Sequence, residues 1–384
     1  MNDFKTPYDL LIIGAGPAGL AAAHAAKQAS LSYLVIEKGM IAQTVYDYPI
    51  GKPLHSGPET VELAWGALHP TNYHPTREEV LLHYTRFAIR EQRLHIRALE
   101  QVQTLARSEP LGFKVETDRG RYQARNVILA TGGFGIPRRL GVPGESDARV
   151  TYRFSEGFPF AGQEVLVVGG GNSAAEAARY LHEAEAKVTL SLRRASLAPV
   201  DPMQDLYTVV KEWNRRHLEA LHARGEVNIV YSSQLVDISH AEATLRMDGR
   251  EGHRRIRCQR IFALIGADPD LTLLRQVGAE IAEDGRPVYD AATHQTTVPG
   301  LYVAGHLSRE LHLLNAILVP PTIVRLIAAG GANERGFVLD LMGKYLHAVR
   351  TESRFGKKLI KKFHPLRRIG QAIVSDQVRA RGGP

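Results

Sequence analysis

The sequence predicts an α/β protein built on two dinucleotide-binding βαβ units, and three observations carry that expectation. Two glycine-rich fingerprints are present, Gly14-Ala-Gly-Pro-Ala-Gly19 and Gly169-Gly-Gly-Asn-Ser-Ala174. Each follows an apolar run with strand character, Tyr8 to Ile13 and Glu164 to Val168, and each leads into an alanine-rich helical stretch, the setting in which the motif binds a pyrophosphate. The two units then end differently, one on an acid and the other on a pair of arginines. Both are read as Rossmann-like domains.

The glycines are needed because the pyrophosphate approaches the backbone where strand turns into helix, and a Cβ there would block it. Gly14, Gly16 and Gly19, with Pro17 and Ala18 between them, form the first candidate cradle, and Gly169, Gly171, Asn172, Ser173 and Ala174 the second. Free N–H groups at the start of each helix add a partial positive charge for the phosphates. In the first unit the next strand, Ser32 to Ile36, runs into Glu37, 18 positions after Gly19. A carboxylate there accepts both hydroxyls of an unphosphorylated ribose, as in the adenosine of FAD. The matching place in the second unit is Leu192, followed by Arg193 and Arg194. A guanidinium offers a planar, charged donor set that suits a 2′-phosphate, so this half is read as an NADPH site.

Composition fits a globular protein of two domains: 384 residues, 44% hydrophobic and 23% charged. The sequence runs almost at once into a strand, without a signal peptide's charged region and apolar core, and no run approaches the 18 apolar residues of a membrane span. A cytoplasmic protein is expected. The formal charge of +8 is uneven, because residues 344–384 carry 11 Lys and Arg against Glu352 and Asp376. That tail is +9 and the remainder −1, which argues against nucleic acid as a partner of the body. Cys258 is the single cysteine, so no intrachain disulfide and no CxxC redox pair exists. It falls in Ile256 to Ile265, read as one strand in which the thiol is buried.

Between the fingerprints lies a Tyr- and Pro-rich loop, Tyr46-Asp-Tyr-Pro49 through Pro58, followed by a helix that Thr76 caps with Glu79 as its capping-box partner. A strand pair, Gln101 to Thr117 and Tyr122 to Leu129, leads to Ala130-Thr-Gly-Gly133, small residues where a chain passes close to a cofactor. The expected organisation is a discontinuous FAD domain over 1–140 and 286–336, a hinge over 141–161, an NADPH domain over 162–285 and a basic helical C-terminal tail over 337–384. His69 and His74 sit in a Pro-flanked loop with no third ligand in sight, so no metal site is expected.

Val35-Ile-Glu-Lys38, Tyr46-Asp-Tyr-Pro49, Pro75-Thr-Arg77, Ala130-Thr-Gly132, Pro143-Gly-Glu145, the second fingerprint, Phe262-Ala-Leu-Ile-Gly266 with Pro269-Asp270, and Val298-Pro-Gly-Leu-Tyr-Val-Ala-Gly305 occur in this order. Together they resemble the low-molecular-weight thioredoxin reductase-like flavoproteins over about residues 7 to 330. The likeness is greatest to the bacillithiol disulfide reductase family, which lacks the CxxC. The resemblance implies FAD contacts from Lys38, Thr131, Gly132, Gly305 and His306, an NADPH contact at Gly266, and a homodimer. Three departures stand against it. Ala18 occupies the place of that family's cysteine, His306 replaces the aspartate usual in thioredoxin reductases, and the tail is longer and more basic.

Hydride transfer from NADPH to a flavin is the cofactors' own chemistry, and without a dithiol relay electrons must leave the flavin directly. The expected acceptor is a small-molecule disulfide. The alternatives are flavodoxin or ferredoxin, acidic electron-carrier proteins, and a quinone. A fourth reading is an NADPH-binding flavoprotein sensor acting through its tail. Tyr48 and His306 are the candidate catalytic side chains, each also readable as a packing or cofactor-neighbouring residue. In the tail, Phe355, Leu359, Ile360 and Phe363 share a helical face opposite lysines, suited to its own body, an anionic membrane or an acidic partner.

Overall fold

A computed structural model describes residues 7–64, 66–108, 112–198, 210–249, 252–308 and 313–330. The tail and its amphipathic segment lie outside these residues.

The chain begins with β1 (Tyr8–Ile13), whose last four residues are buried, as an apolar run inside a parallel sheet requires. After the glycine turn, α1 (Pro17–Gln28) starts with proline at its first position, where no N–H is lost, and buries Ala18, Ala21, Ala22, Ala23, Ala25 and Ala26. Side chains this small let the helix lie close to the sheet. β2 (Tyr33–Glu37) returns parallel to β1 and ends on the predicted acid. A short α2 (Gln43–Tyr46) precedes the Pro-rich loop. α3 (Arg77–Thr85) opens on the predicted capping box, with Thr76 Oγ1 accepting from the Glu79 amide and the Glu79 carboxylate accepting from the Thr76 amide. β3 (Ile96–Ala98) then pairs with β2.

The run from Gln101 to Thr117, expected as one strand, is two: β4 (Val102–Ser108) and β5 (Gly112–Thr117), antiparallel to each other. Gly112 opens β5 in a conformation that requires glycine. Its φ is +86°, and a Cβ there would lie 2.6 Å from the Arg125 carbonyl oxygen. β6 (Arg121–Leu129) completes the run and pairs parallel with β1.

The chain then crosses into a second unit. β7 (Ile136–Pro137) and β8 (Val150–Thr151) precede β9 (Glu164–Val168), α4 (Asn172–Glu183), β10 (Lys187–Ser191), α5 (Glu212–Ala223) and β11 (Asn228–Val230). An antiparallel meander follows, β12 (Ser233–Ser239), β13 (Glu242–Met247) and β14 (His253–Arg257), and then β15 (Arg260–Ala263) and β16 (Ala267–Asp268). Here the single strand expected over Ile256 to Ile265 is corrected. Cys258 lies in the corner between β14 and β15, because its amide bonds to the Ala241 carbonyl while the next amide, Gln259, bonds to Glu164 on the other sheet. The chain returns through α6 (Thr272–Gln276) and β17 (Leu301–Val303), which adds parallel to β6, and α7 (Leu313–Ala328) packs on α1.

Among the described residues, two compact units result. One takes in the chain up to Tyr46, Pro53–Gly133 and the chain from Pro269; the other takes in Asp47–Lys52 and Phe134–Asp268. The first contains the mixed sheet β3-β2-β1-β6-β5-β4 with β17 on β6; the second contains the parallel sheet β11-β10-β9-β15-β8 beside the β12-β13-β14 meander. The crossings thus fall near 133 and 268 and not at 140 and 286. Leu271, Leu274 and Ala279 explain the difference, since they pack into the core of the first unit with Leu105 and Phe113. Residues 141–161 are more than a connector, because β8 pairs parallel with β15 and Phe154 joins the core of the second unit.

Candidate active site

In the first unit the fingerprint makes a turn that only glycine tolerates. Gly14 has φ +111°, and a Cβ on it would lie 2.4 Å from the Ala130 carbonyl oxygen; one on Gly19 would lie 1.8 Å from the carbonyl oxygen of Gly14. Gly16 is different, for a Cβ there would meet nothing within 4 Å. It caps α1 without any side-chain bond, which leaves the helix N–H groups for an anion. Glu37 is buried at the end of β2. Its Oε2 accepts the Ala15 amide at 2.7 Å and its Oε1 the Gly39 amide at 2.7 Å, so the carboxylate braces the fingerprint turn and retains lone pairs for ribose hydroxyls.

The other residues expected at this cofactor gather on the same unit. Thr131 and Gly132 follow β6, and Thr131 Oγ1 is buried with no hydrogen-bond partner among the described residues, a polar atom that a ligand hydroxyl or phosphate would satisfy. Gly305, at φ +66°, sits against Ala18, and a Cβ on it would lie 2.9 Å from the alanine's own. The His306 carbonyl accepts a hydrogen bond from Arg286 Nη1 at 2.7 Å. Lys38 is exposed beyond the strand. A glycine cradle, a buried acid and an orphaned hydroxyl fit an FAD adenosine and pyrophosphate.

In the second unit, Gly169 is equally obligatory, since a Cβ would lie 2.3 Å from the Leu264 carbonyl oxygen. Gly171 caps α4 with no side-chain bond, Ser173 is exposed and Ala174 is buried in the core. The Asn172 side chain is turned inward: Nδ2 donates to Glu176 Oε1 at 2.6 Å, and Oδ1 accepts from the Lys211 amide and from Asn214 Nδ2 at 3.1 and 3.0 Å. The two arginines separate. Arg193 is exposed, whereas the half-buried Arg194 folds its guanidinium onto the Gly170 carbonyl of the fingerprint. Gly266, φ +98°, lies under Arg138, which is clamped by Asp268 at 2.7 Å.

Tyr46 and Tyr48 also part company. Tyr46 stays with the first unit, where Arg77 donates to its carbonyl at 2.7 and 3.0 Å and lies 4.9 Å over its ring. Tyr48 belongs to the second unit, 4.9 Å beneath the ammonium of Lys52. Burial and then the Glu176 charge push its phenol pKa up, so it is a hydrogen-bond donor and a poor acid. Cys258 is fully buried, and burial pushes its thiol up to about 11. His69 and His74 are exposed.

A profile of the pyridine nucleotide-disulphide oxidoreductase family matches residues 11–305. The chain belongs to that family. The oxidoreductase is 32% identical over 296 residues to the bacilliredoxin reductase Bdr of Bacillus subtilis, covering 77% of this chain and 88% of the relative. It is 28% identical to a ferredoxin–NADP reductase of Ignicoccus hospitalis, covering 78% and 90%. The bacillithiol disulfide reductase Bdr of Bacillus cereus shares its fold with a TM-score of 0.78 at 30% identity, over 85% of this chain and 100% of that one. The thioredoxin reductase-like fold and the enzyme class expected from the sequence are therefore shown, and FAD and NADPH are the cofactors of the oxidoreductase.

Three residues escaped the sequence reading: Lys52, Glu176 and Asn214, which build the network behind Asn172. Arg77, noted only as part of the Pro75-Thr-Arg77 resemblance, clamps the Tyr46 carbonyl. The only available signal was Glu176 itself, an acid at a core-facing position of an otherwise alanine-rich helix; Lys52 and Asn214 carry no local signature of their partners.

Proposed function

We propose that the chain is an NADPH-dependent FAD oxidoreductase that cleaves the disulfide of a low-molecular-weight thiol of the bacillithiol type. The observation that carries this reading is the pairing of two unlike cradles, one ending on a buried Glu37 and the other on Arg194, in a chain whose single thiol is buried and protonated. FAD and NADPH supply the redox chemistry, in which one NADPH and one proton convert one disulfide to two thiols. The protein contributes placement. Gly14, Gly16 and Gly19 admit the FAD pyrophosphate to the backbone amides of α1, with Pro17 and Ala18 shaping that turn. Glu37 takes the ribose hydroxyls, and Thr131, Gly132, Gly305 and His306 line the same unit. Gly169, Gly171 and the amides of Asn172 and Ser173 receive NADPH, and Arg194 reads its 2′-phosphate. Because Ala18 is no thiol and Cys258 is inaccessible, no protein disulfide lies between flavin and substrate.

Among the described residues no helix is long and apolar enough to cross a membrane. We infer a cytoplasmic homodimer whose basic tail contacts an anionic membrane face or an acidic carrier; sedimentation and vesicle flotation test those points. The decisive test is to reduce the holoenzyme anaerobically with NADPH and then add bacillithiol disulfide, ferredoxin, flavodoxin or a quinone separately. Rapid reoxidation by the disulfide is expected. Reoxidation only by a carrier protein or quinone would replace the substrate assignment, and a flavin that NADPH does not bleach would leave a nucleotide sensor.

A further inference from the structure

Asp47–Lys52 groups with the second unit, and contacts among the described residues anchor it there. The Ile50 amide bonds to the Ser155 carbonyl at 2.8 Å, Asp47 pairs with Arg153 at 3.2 Å, and Lys52 Nζ lies 2.6 Å from Glu176 Oε2. The last contact is the informative one. Glu176 is 3% exposed and Lys52 13%, and the carboxylate stands one turn into α4, four residues from Asn172 of the fingerprint. Its other oxygen takes Asn172 Nδ2, and Asn172 Oδ1 takes the start of α5 through Lys211 and Asn214. A buried ion pair adds little stability beyond what apolar residues of the same volume would give. Its position is what distinguishes this one: it places a negative charge close to where a pyrophosphate must bind, and pairs it with an ammonium from another part of the chain.

We propose that Lys52 is a positioning residue of the pyridine-nucleotide site: by neutralising Glu176 behind the fingerprint, it lets the second cradle accept a polyanion and couples nucleotide binding to the docking of residues 47–52. The proposal rests on the reading of the second fingerprint as the NADPH site. Without Lys52, the buried carboxylate opposes the incoming phosphates and its hydrogen bond to Asn172 is no longer held from the far side. With both charges removed, neither penalty remains.

The test is calorimetric titration of NADP⁺ into the FAD-loaded protein, comparing wild type, Lys52→Met and the double variant Lys52→Met with Glu176→Gln. Lys52→Met should weaken binding about tenfold, the order expected when a like charge roughly a helical turn from the phosphates loses its ion-pair partner. The double variant should return to within about threefold of wild type, the signature of a coupled pair. In the wild type NADP⁺ should slow amide hydrogen exchange in residues 47–52. Wild-type affinity in Lys52→Met, or a double variant as weak as the single one, would overturn the proposal. Should Lys52→Met not fold, the double variant and the exchange measurement decide, and unchanged exchange in the wild type would overturn it. A wild-type protein that binds neither NADP⁺ nor NADPH would instead bring down the nucleotide assignment and the proposal with it.

Discussion

Replacing Arg194 by alanine should erase the preference for NADPH over NADH while leaving FAD in place. Its half-buried guanidinium lies on the Gly170 carbonyl, at the lip of the second fingerprint. There a 2′-phosphate receives charge-assisted hydrogen bonds worth about 1.5–3 kcal/mol, which corresponds to a loss of roughly 10- to 150-fold in NADPH affinity. Arg193 is exposed, where a charge contact contributes about 0–1 kcal/mol, so Arg193→Ala should cost less than about fivefold. Rapid anaerobic mixing of each variant with NADPH and with NADH, following the flavin absorbance, gives both affinities from the concentration dependence of bleaching. Equal losses for the two nucleotides, or a larger effect at Arg193 than at Arg194, would refute the assignment.

Glu37→Ala strips the buried Ala15 amide and the half-buried Gly39 amide of their acceptor as well as the cofactor ribose of its own. At about 1–3 kcal/mol for each unsatisfied group, the variant should lose FAD on gel filtration, and full retention would show that the acid does not serve the flavin. Cys258 should resist Ellman's reagent at pH 8 in the native protein and react once in denaturant, while Cys258→Ala turns over normally; loss of turnover would mean the thiol acts. His294 is buried, and burial lowers its pKa to about 4 from 6.5. Because the folded value lies below the unfolded one, its stabilising contribution is complete above pH 6.5 and is lost as pH falls through about 4, a swing of about 3 kcal/mol. The thermal midpoint should drop across that window and His294→Gln should flatten the drop; parallel curves for the two proteins would assign it elsewhere.

Both βαβ units, the capping box at Thr76 and the acid at Glu37 were legible because each is a local device: a glycine that admits a close approach, a cap three residues from its partner, a residue at a fixed distance along one strand. The break at Cys258 was less legible, because what turns the chain there is a partner far away in sequence, the Glu164 carbonyl that accepts the Gln259 amide. The inward turn of Asn172 was out of reach for the same reason. Its acceptor on α4 is four residues on, but its other partners belong to α5 and Lys52 lies more than a hundred residues upstream. Arg193 and Arg194 show the limit within a single motif: spacing finds the pair, and only the structure separates the exposed Arg193 from the Arg194 that lies on Gly170.

Residues 134–268 look like a cassette that could be lifted from one reductase and spliced into another. The excursion of Asp47–Lys52 denies them that portability. A transplanted segment would leave Asp47, Ile50 and Lys52 behind, stranding Arg153, the Ser155 carbonyl and the buried Glu176 carboxylate at the same stroke. Chimaeras of this chain should therefore work only when the donor's own six residues, Asp47–Lys52, travel with its Phe134–Asp268 segment, so that a stretch of the first half of the gene is inherited as part of the second.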